Sequence, residues 1–122
     1  MVTVKIRRDG AGRLSSLEAV GHAGWAKYGS DVVCAAVSTV LQTAQLGLEQ
    51  VAGVPVKARK SAARLDLAWP APARDRHDVR AIAETAAAAL DALARQFPEH
   101  VVAVSEDEPA GESSGRAAKG AP

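Results

Sequence analysis

"DVVCAAVSTVLQTAQLGLEQV", residues 31–51, is where the chain changes period. Val33, Val37, Val40, Leu41, Ala44, Leu48 and Val51 fall at helical spacing and form a single apolar stripe. At 3.6 residues per turn this predicts a helix of about five turns. The preceding "GSD" offers Ser30 or Asp31 as a cap for the unpaired amides, and Gly53 with Pro55 beyond it predicts the end. A helix with one apolar stripe has to bury it against a second layer.

Strands on both sides supply that layer. Val2, Val4 and Ile6 alternate with Thr3, Lys5 and Arg7, "DGAG" at residues 9–12 signals a turn, and Arg13 to Val20 can pair back, although Ser15 and Ser16 interrupt the alternation. Val54–Arg59 and Ala63–Trp69 predict a second hairpin around Lys60–Ala62, with Leu65, Leu67 and Trp69 on one face. After "PAPARD" at residues 70–75, the positions Val79, Ile82, Ala86, Leu90, Leu93 and Phe97 mark a second amphipathic helix, stopped by Pro98. Val101–Val104 makes a last short strand. The order strand, strand, helix, strand, strand, helix, strand predicts an α+β fold, a two-layer sandwich of a short five-stranded sheet and two helices. One domain is expected over residues 1–104. Residues 105–122, "SEDEPAGESSGRAAKGAP", carry too little apolar bulk to offset their ordering entropy and are expected to be a disordered C-terminal tail.

Composition narrows the function classes. A chain of 122 residues supports one core, and with only Trp25, Tyr28, Trp69 and Phe97 as aromatics that core is aliphatic. Fifteen basic against fourteen acidic residues give a net charge of +1, so attraction to nucleic acid would need a local patch. A single cysteine excludes an internal disulfide and fits a reducing, cytoplasmic setting. The alternating start is unlike a signal peptide. The longest uncharged stretch, Val32 to Leu48, is 17 residues with five hydroxyl or amide side chains, short of the roughly 20 apolar residues of a span, so no membrane partner is expected.

Chemistry concentrates in "GHAGWAKYGSDVVCAAVS", residues 21–38. A thiol attacks as thiolate, and an ordinary cysteine is mostly protonated at neutral pH. Placed three residues after Asp31, Cys34 is expected in the first turn of the helix, where unpaired amides and the dipole favour an anion. His22 can serve as its base if Gly21, Gly24 and Gly29 let the chain fold back over the helix start. The amides of Cys34 and Ala35 would then face an oxyanion. The plainer reading is a small buried side chain between Val33 and Val37, and spacing alone favours it. Asp31 serves either as a helix cap or as an orienter of His22, and Ser38 lies one turn beyond Cys34, where its hydroxyl either lines a cleft or bonds back to the helix. Trp25 and Tyr28 either cover the site or anchor the loop. His77 and His100 stand apart and there is no second cysteine, so no metal site is expected.

"GHAG" followed by "SDVVCAAVS", between an opening hairpin and a long helix, resembles the bacterial ribosomal-processing cysteine proteases of the Prp family, over residues 2–104. The resemblance implies a homodimeric cysteine endopeptidase without cofactors. Its implied substrate is large-subunit ribosomal protein twenty-seven, from which it removes an N-terminal extension during ribosome assembly. On matching positions it implies His22 as general base and Cys34 as nucleophile, with Asp31 and Ser38 as further motif members. It also implies that Gly21 to Gly29, including Gly24, Trp25 and Tyr28, form a substrate loop that orders when the apolar extension binds.

A contrasting reading is a non-catalytic ribosome-assembly or RNA-binding module. It would use Lys5, Arg7 and Arg8 of the first strand with Lys57, Arg59, Lys60 and Arg64 of the second hairpin as one basic face. Ordinary solvated strand faces explain the same residues, because no stacking aromatics interleave them.

Overall fold

Alternation in the first hairpin is realised as β1 (Val2–Arg8) and β2 (Leu14–Val20), paired antiparallel with Val4 opposite Ala19 and Ile6 opposite Leu17. The computed structural model describes residues 1–21 and 28–108, and side chains of the first helix from residue 32 onward. The interruption expected at Ser15 is a bulge: the register shifts between Arg7 and Arg8, so that Ser15 has no partner on β1, and it is buried. Its hydroxyl donates to Glu108 Oε2 at 2.5 Å.

The second hairpin forms β3 (Lys57–Ser61) and β4 (Arg64–Ala68), joined by Ala62 and Ala63. It starts later than Val54, because Val54 is buried and its amide donates to Leu48 O at 2.8 Å, closing the end of the preceding helix. The last strand, β5 (Val101–Asp107), pairs parallel with β1. The sheet is therefore mixed, in the order β3-β4-β2-β1-β5. β5 extends three residues beyond the expected boundary at Val104, so Ser105–Asp107 are strand rather than tail. Pairing with Arg7 and Arg8 along the length of β1 holds it there, and the Glu108 amide continues the ladder to Arg8 O at 2.7 Å. The remainder of the expected tail, 109–122, lies outside the described residues.

Both helices cover one face of the sheet. α1 (Tyr28–Leu46) continues as a π-helical turn, Gly47–Val51, and α2 spans His77–Gln96. Most of the apolar stripe read from the sequence is buried: Val33, Val37, Leu41, Ala44 and Leu48 join Val79, Ala83, Ala86 and Leu90 of α2 and Leu17, Leu65 and Leu67 of the sheet in one core, with Val40 at its margin, whereas Val51, in the last π-helical turn, is exposed. Leu17, Leu41, Leu48, Leu67 and Leu90 are fully buried, and truncating any of them to Ala costs about 2–5 kcal/mol. The helices approach closely at Gly47, where an added Cβ would lie 3.0 Å from Ile82 Cγ2. By length and composition alone Val32–Val51 could cross a membrane, with a mean hydropathy of 1.3, but its apolar stripe is this core-facing one.

The start of α1 differs from expectation. The helix begins at Tyr28, so Tyr28 and Gly29 belong to its first turn rather than to a loop, and Ser30 and Asp31 stand inside it rather than at a cap.

Candidate active site

Cys34 lies on the sheet-facing side of α1 and is 8% exposed, next to Val33 and Val37 in the core cluster. Its small exposed surface opens into a cleft of about 160 Å³. One wall is α1, contributing Cys34, Val37 and Ser38, and the opposite wall is the β3–β4 turn from Lys60 to Leu65. The β2 end, at Ala19 and Gly21, closes the side between them.

Gly21 has reasons to be glycine. Its φ is +100°, and an added Cβ would stand 2.8 Å from Met1 O. Its amide donates to Ala63 O at 2.8 Å, which fixes the end of β2 to the β3–β4 turn. Gly21, which lines the cleft with Cys34, is the residue before His22 in the chain. His22, Gly24 and Trp25 lie outside the described residues, as do the side chains of Tyr28 and Asp31.

The local chemistry expected at Cys34 is changed by the helix start. Cys34 is six residues beyond Tyr28, past the first turn to which the helix dipole and unpaired amides are confined. The helix-end stabilisation of a thiolate therefore does not apply, nor does an oxyanion site made by the amides of Cys34 and Ala35, which lie in the helix interior. Ser38 does line the cleft, and its Oγ accepts a 2.8 Å hydrogen bond from Gln42 Nε2, so its link runs to a side chain one turn on.

The turn from Lys60 to Leu65 was not foreseen as part of the site, since no local signal in "KSAARL" announces it and the sheet order alone brings it to Cys34. It adds two cations, Lys60 and Arg64, to a lining that is otherwise apolar apart from the hydroxyls of Ser38 and Ser61. Arg64 is engaged with Glu18 at 3.3 Å and Asp66 at 3.6 Å. Lys60 makes no ion pair among the described residues and is exposed.

Among the described residues the arginines of the sheet are held in ion pairs and do not form the continuous basic surface required by the RNA-binding reading. Arg7 pairs with Glu18 at 2.8 Å and with Glu106 at 3.0 Å, Arg59 pairs with Asp66 at 3.7 Å, and Arg8 pairs with Glu84 at 2.8 Å. Glu18 is 3% exposed and sits directly across from Asp66. Burial, reinforced by that neighbouring carboxylate, pushes the Asp66 carboxyl up despite the arginines around it. Among the described residues no group of three His, Cys, Asp or Glu side chains could hold a metal, and His77 and His100 stand at the start and beyond the end of α2.

Comparison with known proteins follows the same direction. The family model described as "Cysteine protease Prp" matches residues 1–102. Among solved structures, SMU.848 from Streptococcus mutans is 28% identical with a TM-score of 0.80, over 88% of this chain and 96% of that one. An essential ribosomal processing protease Prp from S. aureus, in complex with a substrate peptide, is 20% identical with a TM-score of 0.76, over 86% and 99% of the two chains. The same protease with a covalently linked product peptide gives a TM-score of 0.75 at 20% identity. Comparison with curated proteins returns no match.

Proposed function

The chain belongs to the Prp family of cysteine proteases, and on that premise we propose that it is an endopeptidase acting on a ribosomal protein, with Cys34 as nucleophile and His22 as general base. The observation that carries this reading is the cleft shared by Cys34 and Gly21, the residue before His22. His22 takes the Cys34 proton, and the thiolate sulfur attacks the scissile carbonyl carbon. The C–N bond breaks as His22 returns the proton to the leaving amine. Water then hydrolyses the thioester, restoring the thiol. No metal or organic cofactor takes part.

Within this reading Asp31 orients His22 and Ser38 helps wall the cleft. The segment after Gly21, including Gly24 and Trp25, closes over the peptide, and Tyr28 and Gly29 border it from the first turn of α1. The substrate is the N-terminal extension of large-subunit ribosomal protein twenty-seven, cut in the cytoplasm by a homodimer. Support comes from family membership and from the protease of like fold whose structure contains a substrate peptide. The test is incubation of the purified protein with that ribosomal protein and mass measurement of both products. Two fragments with the wild type and none with Cys34→Ala are expected. Cleavage by Cys34→Ala would overturn the assignment.

A further inference from the structure

Among the described residues strand β3 is an outer strand of the sheet, paired only with β4. The direction of its main-chain groups follows from two hydrogen bonds of the neighbouring ladder. Gly21 N donates to Ala63 O at 2.8 Å, and Trp69 N donates to Ser15 O at 3.3 Å, so the odd-numbered residues from Ala63 to Trp69 turn their main-chain groups toward β2. Arg64, Asp66 and Ala68 therefore turn theirs toward β3, opposite Ser61, Arg59 and Lys57. By the same alternation, the N–H and C=O groups of Ala58 and Lys60 point off the sheet edge. All five residues of β3 are exposed.

This edge runs into the reacting centre, because Lys60 and Ser61 line the Cys34 cleft. Lys60 stands opposite Leu65, on the side of the sheet that α1 covers, so its cation lies on the cleft side. An uncovered strand edge invites pairing with any extended chain. Lys57, Arg59 and Lys60 oppose such pairing between two copies of this strand, since like charges would face each other. Arg59 is partly neutralised by Asp66, and Lys57 and Lys60 make no ion pair among the described residues. What the edge suits is an extended peptide carrying carboxylates or neutral side chains.

We infer that the β3 edge receives the substrate as an added strand, hydrogen-bonded to the main chain of Ala58 and Lys60, which carries the scissile bond over Cys34. The inference rests on the endopeptidase reading. Its test uses a labelled synthetic peptide spanning the N-terminal extension of the ribosomal protein, bound to the Cys34→Ala protein. Hydrogen exchange is expected to slow at the amides of Ala58 and Lys60 on binding. Ala58→Pro removes an N–H that β4 does not use, so the fold is expected to persist, checked by an unchanged melting profile, while the peptide binds about tenfold more weakly. Bound peptide without protection at those two amides overturns the docking, as does full-strength binding to a folded Ala58→Pro protein. If that variant fails to fold, the exchange measurement decides alone. Failure of the wild type to cleave the peptide overturns the endopeptidase reading and this docking with it, whereas cleavage without edge protection overturns the docking only.

Discussion

The amide of Gly21 donates a 2.8 Å hydrogen bond to the carbonyl of Ala63, which fastens the residue before His22 to the turn that walls the Cys34 cleft. The bond joins two segments that are 42 positions apart in the chain, and it makes the end of β2 depend on the second hairpin. With φ at +100° and Met1 O at 2.8 Å from any added Cβ, Gly21→Ala strains the backbone and crowds the chain start together. A loss of about 1–3 kcal/mol in urea unfolding is expected, with peptide cleavage falling at least in proportion. Unchanged stability and activity would refute the role given to this glycine.

Asp9 is 3% exposed and is gripped by Arg13 and Arg74 at 3.0 and 3.1 Å and by the amides of Ala11 and Arg13. Burial alone would raise its pKa, but those hydrogen bonds and guanidinium charges outweigh it and hold the carboxyl below its ordinary value of 3.8. A carboxylate with a depressed folded pKa contributes stability that is present above the unfolded value and lost as pH falls through the folded one. Acid unfolding is therefore expected to steepen below about pH 4, and Asp9→Asn, measured by melting against pH, is expected to flatten that limb. Asp9→Ala leaves Arg74 nearly buried without its carboxylate and is expected to cost about 3 kcal/mol.

Glu18 and Asp66 face each other across β2 and β4. Removing the Glu18 charge with Glu18→Gln is expected to lower the raised Asp66 pKa, read from the pH dependence of its carboxyl carbon resonance. The same variant weakens the clasp of Arg7 and Arg64, with an expected loss of about 1–3 kcal/mol. An Asp66 titration that does not move would remove Glu18 from the causes of the shift.

The extent of β5 can be checked by truncation. A chain ending at Val104 loses the Glu106 contact to Arg7 and the Glu108 amide bond to Arg8. It is expected to melt several degrees below a chain ending at Glu108, by the usual conversion of about 1 kcal/mol into 4–8 °C for a domain of this size. Equal melting temperatures would return the boundary to Val104.

Much of this architecture could be read from period alone. The stripes of both helices and the buried faces of β1 and β4 involve strongly patterned apolar residues, and they lie where the alternation put them. The start of α1 was misplaced because "GSD" has the chemistry of a cap and yet stands inside the helix that Tyr28 begins. β5 was cut short because "SED" reads as solvated chain, and what holds it in the sheet is β1, nearly a hundred residues away. Likewise, no property of Arg7 or Arg64 alone announces that a buried Glu18 lies between them. Cys34 and Ser38 were legible as neighbours one helical turn apart, while the opposite wall of their cleft came from long-range pairing that local sequence does not encode.

The parallel pairing of β1 with β5 joins residues 2–8 to the last strand among the described residues. Every described residue lining the cleft lies before position 66, yet β1 keeps an unsatisfied edge until residues 101–107 arrive. Such long-range closure places the protein among slower-folding topologies and makes completion of the sheet wait for the synthesis of β5. A chain still under translation therefore holds its cysteine in an unfinished scaffold, and proteolytic competence is gained only once the polypeptide has been made through to its closing strand.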